Sequence, residues 1–518
     1  MGDKDTRDHE PLLLGLCATA FGIGVFLAVG APPNHDVAWL LYAARRVSGG
    51  ADLYRDIIET NPPLIVYALR PVTFLASLTG ASSMLLFRLG TLLLAGGMLA
   101  GSFGLLRKAR AKSGRRGNDA LLAVATCLLV VTPGFELGQR DHLVILLMLP
   151  LMAAAAHRST GLSLPRRTAI AVGICGALGI ALKPFAGIVW LAIEGYLLTR
   201  RRVSLLRPEN LSIIGVGIAY LTAVAIFEPD FFGFGSAALV AYRAYYPAPL
   251  LMLARQPATL FAVGAIVASR LLRPADGDRH LRAVLEVATA AFLVSVFVQQ
   301  KGWAYHWIPV WTTAGLLLGA IFVERAGSRR GALVAAVSLA ILGASALSSR
   351  SLGVVRSEWA EFSYYGPRMR EVFEEHASGE PVMALTVRLA PGFAVAVDDA
   401  APVRWASRFN VLWPIPGIYD GRTGEGRDRF PYHTETERTS LEWFLIAAVT
   451  QDLLDSRPAL VIVELQSPQG LPGFDVLEYL QSASAPFREE FGRYDLFMRL
   501  GDYLIFKRRE GSPEDGAS

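Results

Sequence analysis

The sequence predicts a polytopic α-helical membrane protein with about eleven membrane-spanning helices and a C-terminal α/β domain. Of its 518 residues, 53% are hydrophobic and only 18% are charged, whereas soluble proteins carry about 25% charged residues. Apolar segments recur through the first two thirds of the chain. The last third alternates polar turns with short apolar runs, which indicates a separate domain outside the lipid.

The predicted spans are apolar segments close to the length of about 20 residues that crosses a bilayer upright. Two of them are kept apart at Lys183 and Pro184, because a bare lysine at the bilayer centre is costly and proline interrupts helical hydrogen bonding. Residues 62–78 are interrupted by Arg70 and Pro71 and are predicted to lie at the interface. The spans cover 11–31, 82–106, 118–134, 142–156, 168–182, 184–199, 211–227, 257–271, 283–299, 307–323 and 331–348.

Basic loops alternate with loops of mixed charge and predict the orientation of the chain. The basic loops are 107–117, 157–167, 199–210, 270–282 and 324–331, and the positive-inside rule assigns them to the cytoplasm. An odd number of spans with a cytoplasmic N-terminus then places the C-terminus outside the cytoplasm. For a bacterial chain this means the inner (plasma) membrane with a periplasmic C-terminal domain.

The composition changes after Ser348, which predicts a membrane module over 1–348 and an extracytoplasmic domain over 349–518. The membrane module includes a long first outer loop, residues 32–81. In the C-terminal domain, short apolar runs at 381–387, 459–465 and 502–509 are typical of strands. Residues 440–454 have helical spacing, so the domain is predicted to be α/β.

Composition and motifs exclude nucleic-acid binding and cysteine-based metal or redox chemistry. The net charge of +5 is small and forms no basic stripe, so no nucleic-acid partner is predicted. The three cysteines lie inside apolar runs and form no disulfide framework, metal motif or redox motif.

Ionisable residues collect at the predicted outer ends of the spans and in the outer loops. A transporter is expected to hold such residues near the middle of the bilayer, at broken helices. Their position on one membrane surface instead suits a substrate anchored in the outer leaflet. The residues are Asp36, Glu59, Arg140, Asp141, His142, Lys183, Arg243, Lys301 and His306.

Each of these residues also has a structural interpretation. Asp36 and Asp141 would serve as helix N-caps, whose side-chain oxygens accept free backbone N–H groups. Lys183 and Lys301 would extend their ammonium groups to the interface. Tyr305 would belong to an interfacial belt of aromatic residues.

The first outer loop, HDVAWLLYAARRVSGGADLYRDIIETNPPLIVY, resembles that of the GT-C glycosyltransferases. Within that superfamily it is most similar to the branch of lipid A aminoarabinose transferases and protein O-mannosyltransferases. The family loop carries an early acidic residue and a second one just before a proline pair, which correspond here to Asp36 and Glu59.

Three later segments are similar to motifs of the same family, in the same order. GQRDHLVILLMLP matches the second outer loop and gives Asp141, and GIALKPFAGIVWL matches a lysine hinge and gives Lys183. KGWAYHWIPVW matches a late lysine–aromatic–proline motif and gives Lys301, Tyr305 and His306. The resemblance covers roughly residues 11–323.

The resemblance implies transfer of one sugar from a polyprenyl-phosphate carrier to a cell-envelope glycan, lipid or protein at the bilayer surface. A single direct displacement would invert the anomeric centre. Cationic groups would take up the charge of the leaving phosphate, and Asp36 would be the general base. The remaining roles are catalytic for Glu59 and Asp141, phosphate-binding for Lys183, Lys301, Arg140 and His306, and supporting for His35, His142, Tyr305 and Arg243.

No cofactor is assigned from the sequence, and a divalent metal stays an open alternative. The aminoarabinose-transferase branch has a histidine in the loop that here spans 228–256, and this loop has none. Glu59 and Asp141 would then be the ligands that remain.

Three other functions stay open. A transporter or flippase for a lipid-linked sugar would share the outer cations and need carboxylates deep in the bundle, where Glu194 is the one candidate. A structural membrane protein with a partner-binding C-terminal domain would leave the ordered motifs unexplained. A ligase or polymerase using polyprenyl-diphosphate glycans would need an arginine-rich loop, and 228–256 contains Arg243 and Arg255.

Overall fold

The computed structural model describes residues 10–109, 115–201, 203–272, 279–325, 362–427 and 429–509. The chain forms two compact units. Unit 1 comprises 1–32, 76–223 and 248–357, and unit 2 comprises 33–75, 224–247 and 358–518. The first outer loop therefore belongs to the same unit as the C-terminal segment. The predicted boundary at residue 348 lies outside the described residues and stays a prediction.

Helices dominate the described chain up to residue 325. Each predicted span that falls on described residues coincides with a helix, whereas the predicted span 331–348 lies outside them. The helices are α1 Glu10–Gly30, α2 His35–Ser48, α3 Leu64–Thr79, α4 Ser83–Ala109, α5 Arg115–Thr126, α6 Arg140–Ser159, α7 Arg166–Leu182, α8 Ala186–Arg201, α9 Pro208–Phe227, α10 Asp230–Ala244, α11 Leu250–Ala254, α12 Pro257–Leu271, α13 Arg279–Gln299 and α14 Ile308–Arg325.

Several of these helices meet the length and hydropathy needed to cross a membrane. Five do so among the described residues, or six if a helix pair bent by 71°, Gly15–Gly30 with His35–Ser48, is counted as one span. The five are Ser83–Arg107, Arg140–Ser159, Pro208–Phe227, Arg279–Gln299 and Ala304–Val323. The prediction of a multi-pass membrane protein is confirmed, and the number of eleven spans stays a prediction.

Within unit 1, α6 is the central helix. It packs against α4, α7, α13 and α14, and its side chains are buried from Asp141 to His157. A helix that is apolar all round belongs in the interior of a bundle. In contrast, α9 exposes apolar side chains such as Ile218 and Leu221, as a lipid-facing helix does.

The predicted break at Lys183 is confirmed, whereas the predicted interruption at Arg70 and Pro71 does not break the helix, and the interfacial position of that segment stays a prediction. Helix α7 ends at Leu182 and α8 begins at Ala186, and Lys183 between them has an extended backbone with φ −150° and ψ 102°. The segment predicted at 62–78 forms α3, which contains Pro71. The predicted outer loop 228–256 contains two helices, α10 and α11.

Unit 2 contains a five-stranded mixed sheet in the order β2-β1-β3-β5-β4. Strands β2, β1 and β3 are parallel, and β5 is antiparallel to both β3 and β4. The predicted strands at 381–387, 459–465 and 502–509 are confirmed as β1, β3 and β5. The strands are β1 Pro381–Leu385, β2 Arg404–Trp405, β3 Leu460–Glu464, β4 Tyr494–Leu500 and β5 Tyr503–Arg508.

Helices cover this sheet and complete the predicted α/β architecture. The predicted helix at 440–454 is α18, and Thr439 caps it by accepting a hydrogen bond from the backbone N–H of Glu442. The helices are α15 at 362–376, α16 Phe393–Ala396, α17 Ile415–Ile418, α18 Ser440–Ser456, α19 Val476–Ala483 and α20 Ala485–Phe491.

The hydrophobic core of unit 2 includes residues from the first outer loop and from α10. Ile58 and Ala241 are buried in the same cluster as Met383 of β1 and Val461 of β3. The backbone N–H of Ile58 donates to the carbonyl of Arg408 at 2.8 Å. Full burial of one such apolar side chain contributes about 1.5–3 kcal/mol, so the outer loop is an integral part of this unit.

Candidate functional site

Unit 1 brings several of the predicted residues together in one group, which we call the cationic cluster. Two of its members begin α6, one lies in the break between α7 and α8, and the others lie between α13 and α14. These positions are the ends of helices, where the backbone is free to turn side chains toward one another. The cluster consists of Arg140, Asp141, Lys183, Lys301, Tyr305 and His306.

Lys183 is held in the cluster by a buried ion pair. Its Nζ lies 2.5 Å from Oδ2 of Asp141 and 5.7 Å from the centre of the Tyr305 ring. Lys183 is 7% exposed and Asp141 is 5% exposed. A buried charge is stable only with a partner, and this ammonium group finds one inside the protein. The alternative that Lys183 extends its charge to the interface is therefore wrong.

Asp141 is not the cap of its helix. The N-cap of α6 is Gln139, and Asp141 lies in the first turn. A carboxylate is favourable there because of the helix dipole, but its hydrogen bond goes to the ammonium group of Lys183. The capping interpretation of Asp141 is wrong, and its role in the cluster is to hold Lys183.

Lys301 lies in a tight turn with two left-handed residues. Gln300 has φ +51° and Gly302 has φ +64°. The backbone N–H of Ala248 donates to the carbonyl of Gln300 at 2.7 Å, and Nε1 of Trp307 donates to the carbonyl of Gly302 at 3.2 Å. Left-handed backbone at a residue other than glycine costs energy and persists only where the surroundings impose it.

The turn places the Lys301 side chain in a buried, aromatic environment. Lys301 is 8% exposed, and its Nζ lies 5.9 Å from the ring centre of Trp303. Burial lowers the pKa of Lys301 to about 8, because removal from water disfavours the charged form. A lysine with such a pKa changes its charge close to neutral pH.

His306 supplies an unsatisfied polar atom to the cluster. The residue is 4% exposed, and its ring packs against Tyr305 at 4.6 Å and Trp303 at 5.5 Å between ring centres. Its Nδ1 is buried and has no hydrogen-bond partner among the described residues. Because buried polar atoms are nearly always paired, this nitrogen is suited to a ligand.

His142 does not join the cluster through its imidazole. The Nδ1 atom accepts the backbone N–H of Gly138 at 3.1 Å, and Nε2 lies 2.8 Å from the carbonyl oxygen of Leu129. Both ring nitrogens are thus bonded to the protein's own backbone. The side chain is completely buried, so it stabilises the start of α6.

Asp36 lies in unit 2, in the first turn of α2, and does not cap that helix. The N-cap is Asn34, whose Oδ1 accepts the backbone N–H groups of Asp36 at 3.1 Å and Val37 at 3.3 Å. The capping interpretation of Asp36 is wrong. Its side chain is 32% exposed, and Oδ1 lies 3.6 Å from Nε2 of His35. This carboxylate is partly open to solvent.

Glu59 and Arg243, both in unit 2, differ in their surroundings. Glu59 is 4% exposed and accepts hydrogen bonds from Nε1 of Trp39 at 2.9 Å and the backbone N–H of Asn61 at 3.0 Å. The bond to Trp39 connects the loop to α2. The sequence pattern did not predict this contact. Arg243 lies exposed in the last turn of α10.

The two carboxylates considered as metal ligands each have partners within the protein, and a divalent metal stays an open alternative. Asp141 is bonded to the ammonium group of Lys183, and Glu59 to an indole and a backbone amide. In the described part of the chain, no group of three or more His, Cys, Asp or Glu residues is placed to hold a metal ion.

Together, the fold and the cluster define a multi-pass helical membrane protein with a C-terminal α/β region and a buried cationic site. Solved structures of the same architecture exist. The structure of ArnT from Cupriavidus metallidurans bound to undecaprenyl phosphate matches with a TM-score of 0.57 and 12% identity, over 97% of this chain and 98% of that chain. The apo state of the same protein matches with a TM-score of 0.47 and 12% identity, over 96% and 98%.

The match to the lipid-bound structure confirms the predicted resemblance to the aminoarabinose-transferase branch at the level of the fold. It covers almost the whole of both chains, so the C-terminal region is included. No protein-family model and no curated protein matches the sequence.

Proposed function

We propose that this protein is an integral-membrane glycosyltransferase. It moves one sugar from a polyprenyl-phosphate carrier to an acceptor of the cell envelope. The observation that carries the proposal is the cationic cluster, in which Lys183, Lys301 and Arg140 lie around His306 and the buried Nδ1 atom of His306 has no hydrogen-bond partner among the described residues. Such a composition is suited to the phosphate of a lipid carrier.

The cluster would act on the leaving group. When the bond between the sugar carbon and the phosphate oxygen breaks, negative charge develops on the phosphate and is stabilised by preorganised donors. Lys183, Lys301 and Arg140 would supply positive charge, and His306 would donate a hydrogen bond. Asp141 would hold the Lys183 ammonium group in place before the substrate binds.

Asp36 would act on the acceptor. Its carboxylate is partly exposed and does not cap α2, and it would take the proton of the attacking hydroxyl group. The oxygen of that hydroxyl forms the new bond to the sugar as the phosphate leaves. A single displacement of this kind inverts the configuration of the sugar carbon.

The fold supports the choice of donor. One structural neighbour that covers nearly the whole chain is ArnT bound to undecaprenyl phosphate, a polyprenyl phosphate. By this comparison, we infer that the same class of lipid is the carrier here. The sugar and the acceptor are left open.

The transporter alternative gains no support from Glu194. Its carboxylate accepts hydrogen bonds from Nη2 of Arg207 at 2.6 Å and Nδ2 of Asn210 at 2.7 Å. A carboxylate that binds a transported ion or proton would need to release these partners. The ligase or polymerase alternative stays open, because such an enzyme would use a polyprenyl-diphosphate glycan instead of a polyprenyl-phosphate sugar as its donor.

We also infer that the C-terminal α/β region lies outside the cytoplasm, in the periplasm of a bacterial inner membrane, because the basic loops alternate. An alkaline phosphatase fusion at the C-terminus is expected to be active. A cytoplasmic C-terminus would instead give an inactive fusion and would overturn this orientation.

The test of the transferase proposal is the Asp36→Asn variant in nanodiscs, with a polyprenyl-phosphate sugar and an envelope extract as acceptor. Transfer is expected to fall by about 10²–10⁴-fold, the range for loss of a general base. Asn34 remains as the cap of α2, so α2 is expected to stay folded. Asp56→Asn is the matched control, since Asp56 is an exposed carboxylate in the same loop that accepts the backbone N–H of Asp52.

Three results separate the alternatives. Loss of transfer in Asp36→Asn with normal transfer in Asp56→Asn supports the base. Full transfer in both variants removes Asp36 from the mechanism. Movement of the lipid-linked sugar across the bilayer by the wild type, without transfer to any acceptor, identifies a flippase and overturns the proposal.

A further inference from the structure

The carboxyl ends of β1 and β3 in unit 2 form a second candidate site. These strands are parallel neighbours, and ligands of open α/β sheets bind outside the carboxyl ends of such strands. Glu464 is the last residue of β3, and Val387 and Arg388 follow β1. None of these residues belongs to the cationic cluster.

Glu464 fixes the Arg388 side chain at this edge. Its Oε2 accepts the backbone N–H groups of Val387 at 2.8 Å and Arg388 at 3.1 Å, and its Oε1 accepts from Nε of Arg388. The Glu464 side chain is completely buried, whereas that of Arg388 is 38% exposed. The guanidinium group is therefore held in one orientation at the surface of the sheet edge.

One donor of this guanidinium group has no partner. The Nη2 atom of Arg388 is buried and makes no hydrogen bond within the described residues. A buried donor left unsatisfied is costly, and a planar guanidinium group is the side chain that best matches the paired oxygens of a phosphate or carboxylate. The group is preorganised for an anion.

Tyrosine side chains surround the same edge. The hydroxyl of Tyr245 donates to the carbonyl of Val387 at 3.3 Å, and that of Tyr503 donates to the carbonyl of Leu389 at 3.1 Å. Tyr246 packs edge-on against Tyr245 at 4.7 Å and has a left-handed backbone with φ +50°. Such strained residues cluster at ligand sites.

Asp36, the proposed base, belongs to the same unit as this tyrosine group. Burial raises the pKa of Tyr245, and the neighbouring Tyr246 and Tyr242 and the carboxylates of Asp36 and Glu464 raise it further. Both carboxylates therefore act electrostatically on one phenol. Because Asp36, Tyr245 and Arg388 all belong to unit 2, they share one compact body.

We propose that the Arg388 edge binds the acceptor, and that this acceptor carries a phosphate or carboxylate group near the hydroxyl that is attacked. The anion would bind Nη2 of Arg388, with its oxygens facing the side chains of Tyr245, Tyr246 and Tyr503. The acceptor hydroxyl would then reach Asp36. This inference rests on the proposed function for the identity of the acceptor, whereas anion binding at Arg388 can be tested without transfer.

The test measures thermal unfolding of the full-length protein in nanodiscs with soluble probes. A ligand that binds the folded state raises the unfolding midpoint in proportion to its occupancy. The probes are glycerol 3-phosphate, galacturonate and, as the neutral reference, galactose. The proteins are the wild type, Arg388→Gln, a Lys183→Gln/Lys301→Gln double variant and Arg422→Gln. The last is a matched control, because Arg422 pairs with Glu437 in the same unit at 2.8 Å.

We expect glycerol 3-phosphate, galacturonate or both to raise the midpoint of the wild type, the double variant and Arg422→Gln, each relative to its own baseline. Arg388→Gln is expected to bind the same probe about 10- to 100-fold more weakly, as befits a lost hydrogen bond to a charged group. The probe that acts identifies phosphate or carboxylate as the anion. If Arg388→Gln does not fold, Arg388→Lys replaces it. A lysine ammonium group can pair with Glu464 but lacks the two parallel N–H donors of a guanidinium group.

An unchanged response in Arg388→Gln overturns the proposal. So does loss of the response in the double variant, which would place the anion in the cationic cluster, and so does equal stabilisation by galactose. If transfer is absent but Arg388-dependent binding persists, the anion site stands and the transferase proposal fails.

Discussion

Two groups of buried charges in unit 1 lie near α8 and differ in how their charges are matched. One is the cationic cluster, whose Lys183 precedes α8. The other, which we call the paired network, consists of Arg158, Glu194, Arg207, Glu209 and Asn210. Both are buried and both contain strong ion pairs, so burial alone does not distinguish a site from a structural element.

The paired network matches every charge with an opposite one. Glu209 accepts from Nε of Arg158 at 2.9 Å and from Nε of Arg207 at 3.0 Å, and Glu194 accepts from Nη2 of Arg207 at 2.6 Å. Two arginines and two glutamates thereby join α6, α8 and α9. A network that is satisfied in this way holds helices together and offers little to a ligand.

The cationic cluster instead places its two lysines against aromatic rings. Lys183 lies on Tyr305 and Lys301 on Trp303, and Nδ1 of His306 lacks a partner in the described chain. The comparison teaches that an unsatisfied polar atom, rather than burial, marks the candidate site. The predictions below test this distinction in order of decreasing effect.

Arg207→Gln is expected to destabilise the protein most. The change leaves Glu194 and Glu209 with fewer positive partners in the interior, and breaking a buried pair costs about 3–5 kcal/mol. The thermal unfolding midpoint in detergent should drop sharply and the yield should fall. Arg166→Gln, at an exposed position, is the control and should behave as the wild type. A stable Arg207→Gln variant would mean that the network is not structural.

Lys183→Gln is expected to reduce donor binding more than stability. Hydrogen bonds to charged groups contribute about 1.5–3 kcal/mol, so the dissociation constant for polyprenyl phosphate should rise by about 10- to 100-fold. The glutamine amide can still donate to Asp141, which limits the loss of stability. Binding assays and thermal unfolding on the same sample measure both effects. A large loss of stability with unchanged binding would place Lys183 with the paired network.

Donor binding is expected to weaken as the pH rises through about 8, the lowered pKa of Lys301. Lysine is charged below its pKa, so the attraction to phosphate is present at lower pH and is lost above it, approaching about tenfold per pH unit. In Lys301→Arg the charge persists, because arginine is not deprotonated in proteins, and the decline should become shallower. The rest of the decline comes from Lys183, whose pKa is also lowered to about 8 by burial. A wild type and a variant with the same pH profile would exclude Lys301 from phosphate binding.

Periodicity and charge were enough to predict most of the fold. Apolar runs located the helices, and the interruption at Lys183 and Pro184 located the break between α7 and α8. Helix α10 was missed because its segment is short and bounded by proline. Strand β4 was missed because its burial alternates irregularly around a bulge between Leu496 and Met498.

The contacts of the site were harder to predict from sequence than its members. Asn34 and Asp36 are both residue types that cap helices, and it is Asn34 that accepts the free backbone N–H groups at the start of α2. The pairing of Arg388 with Glu464 joins positions 76 residues apart, which no local pattern encodes. The signal that could have revealed it is a charged residue at or just beyond the carboxyl end of each of two predicted strands.

The measurement that tests the central claim most directly compares three lipids of equal chain length bound to the protein in nanodiscs: polyprenyl phosphate, polyprenyl diphosphate and polyprenol. If the cationic cluster recognises the phosphate of a lipid carrier, polyprenyl phosphate should bind at least about 100-fold more tightly than polyprenol, as expected from two or more charged contacts. This advantage should be lost in the Lys183→Gln/Lys301→Gln variant. Equal affinity for polyprenol and polyprenyl phosphate, or an advantage that survives in the double variant, would contradict the account.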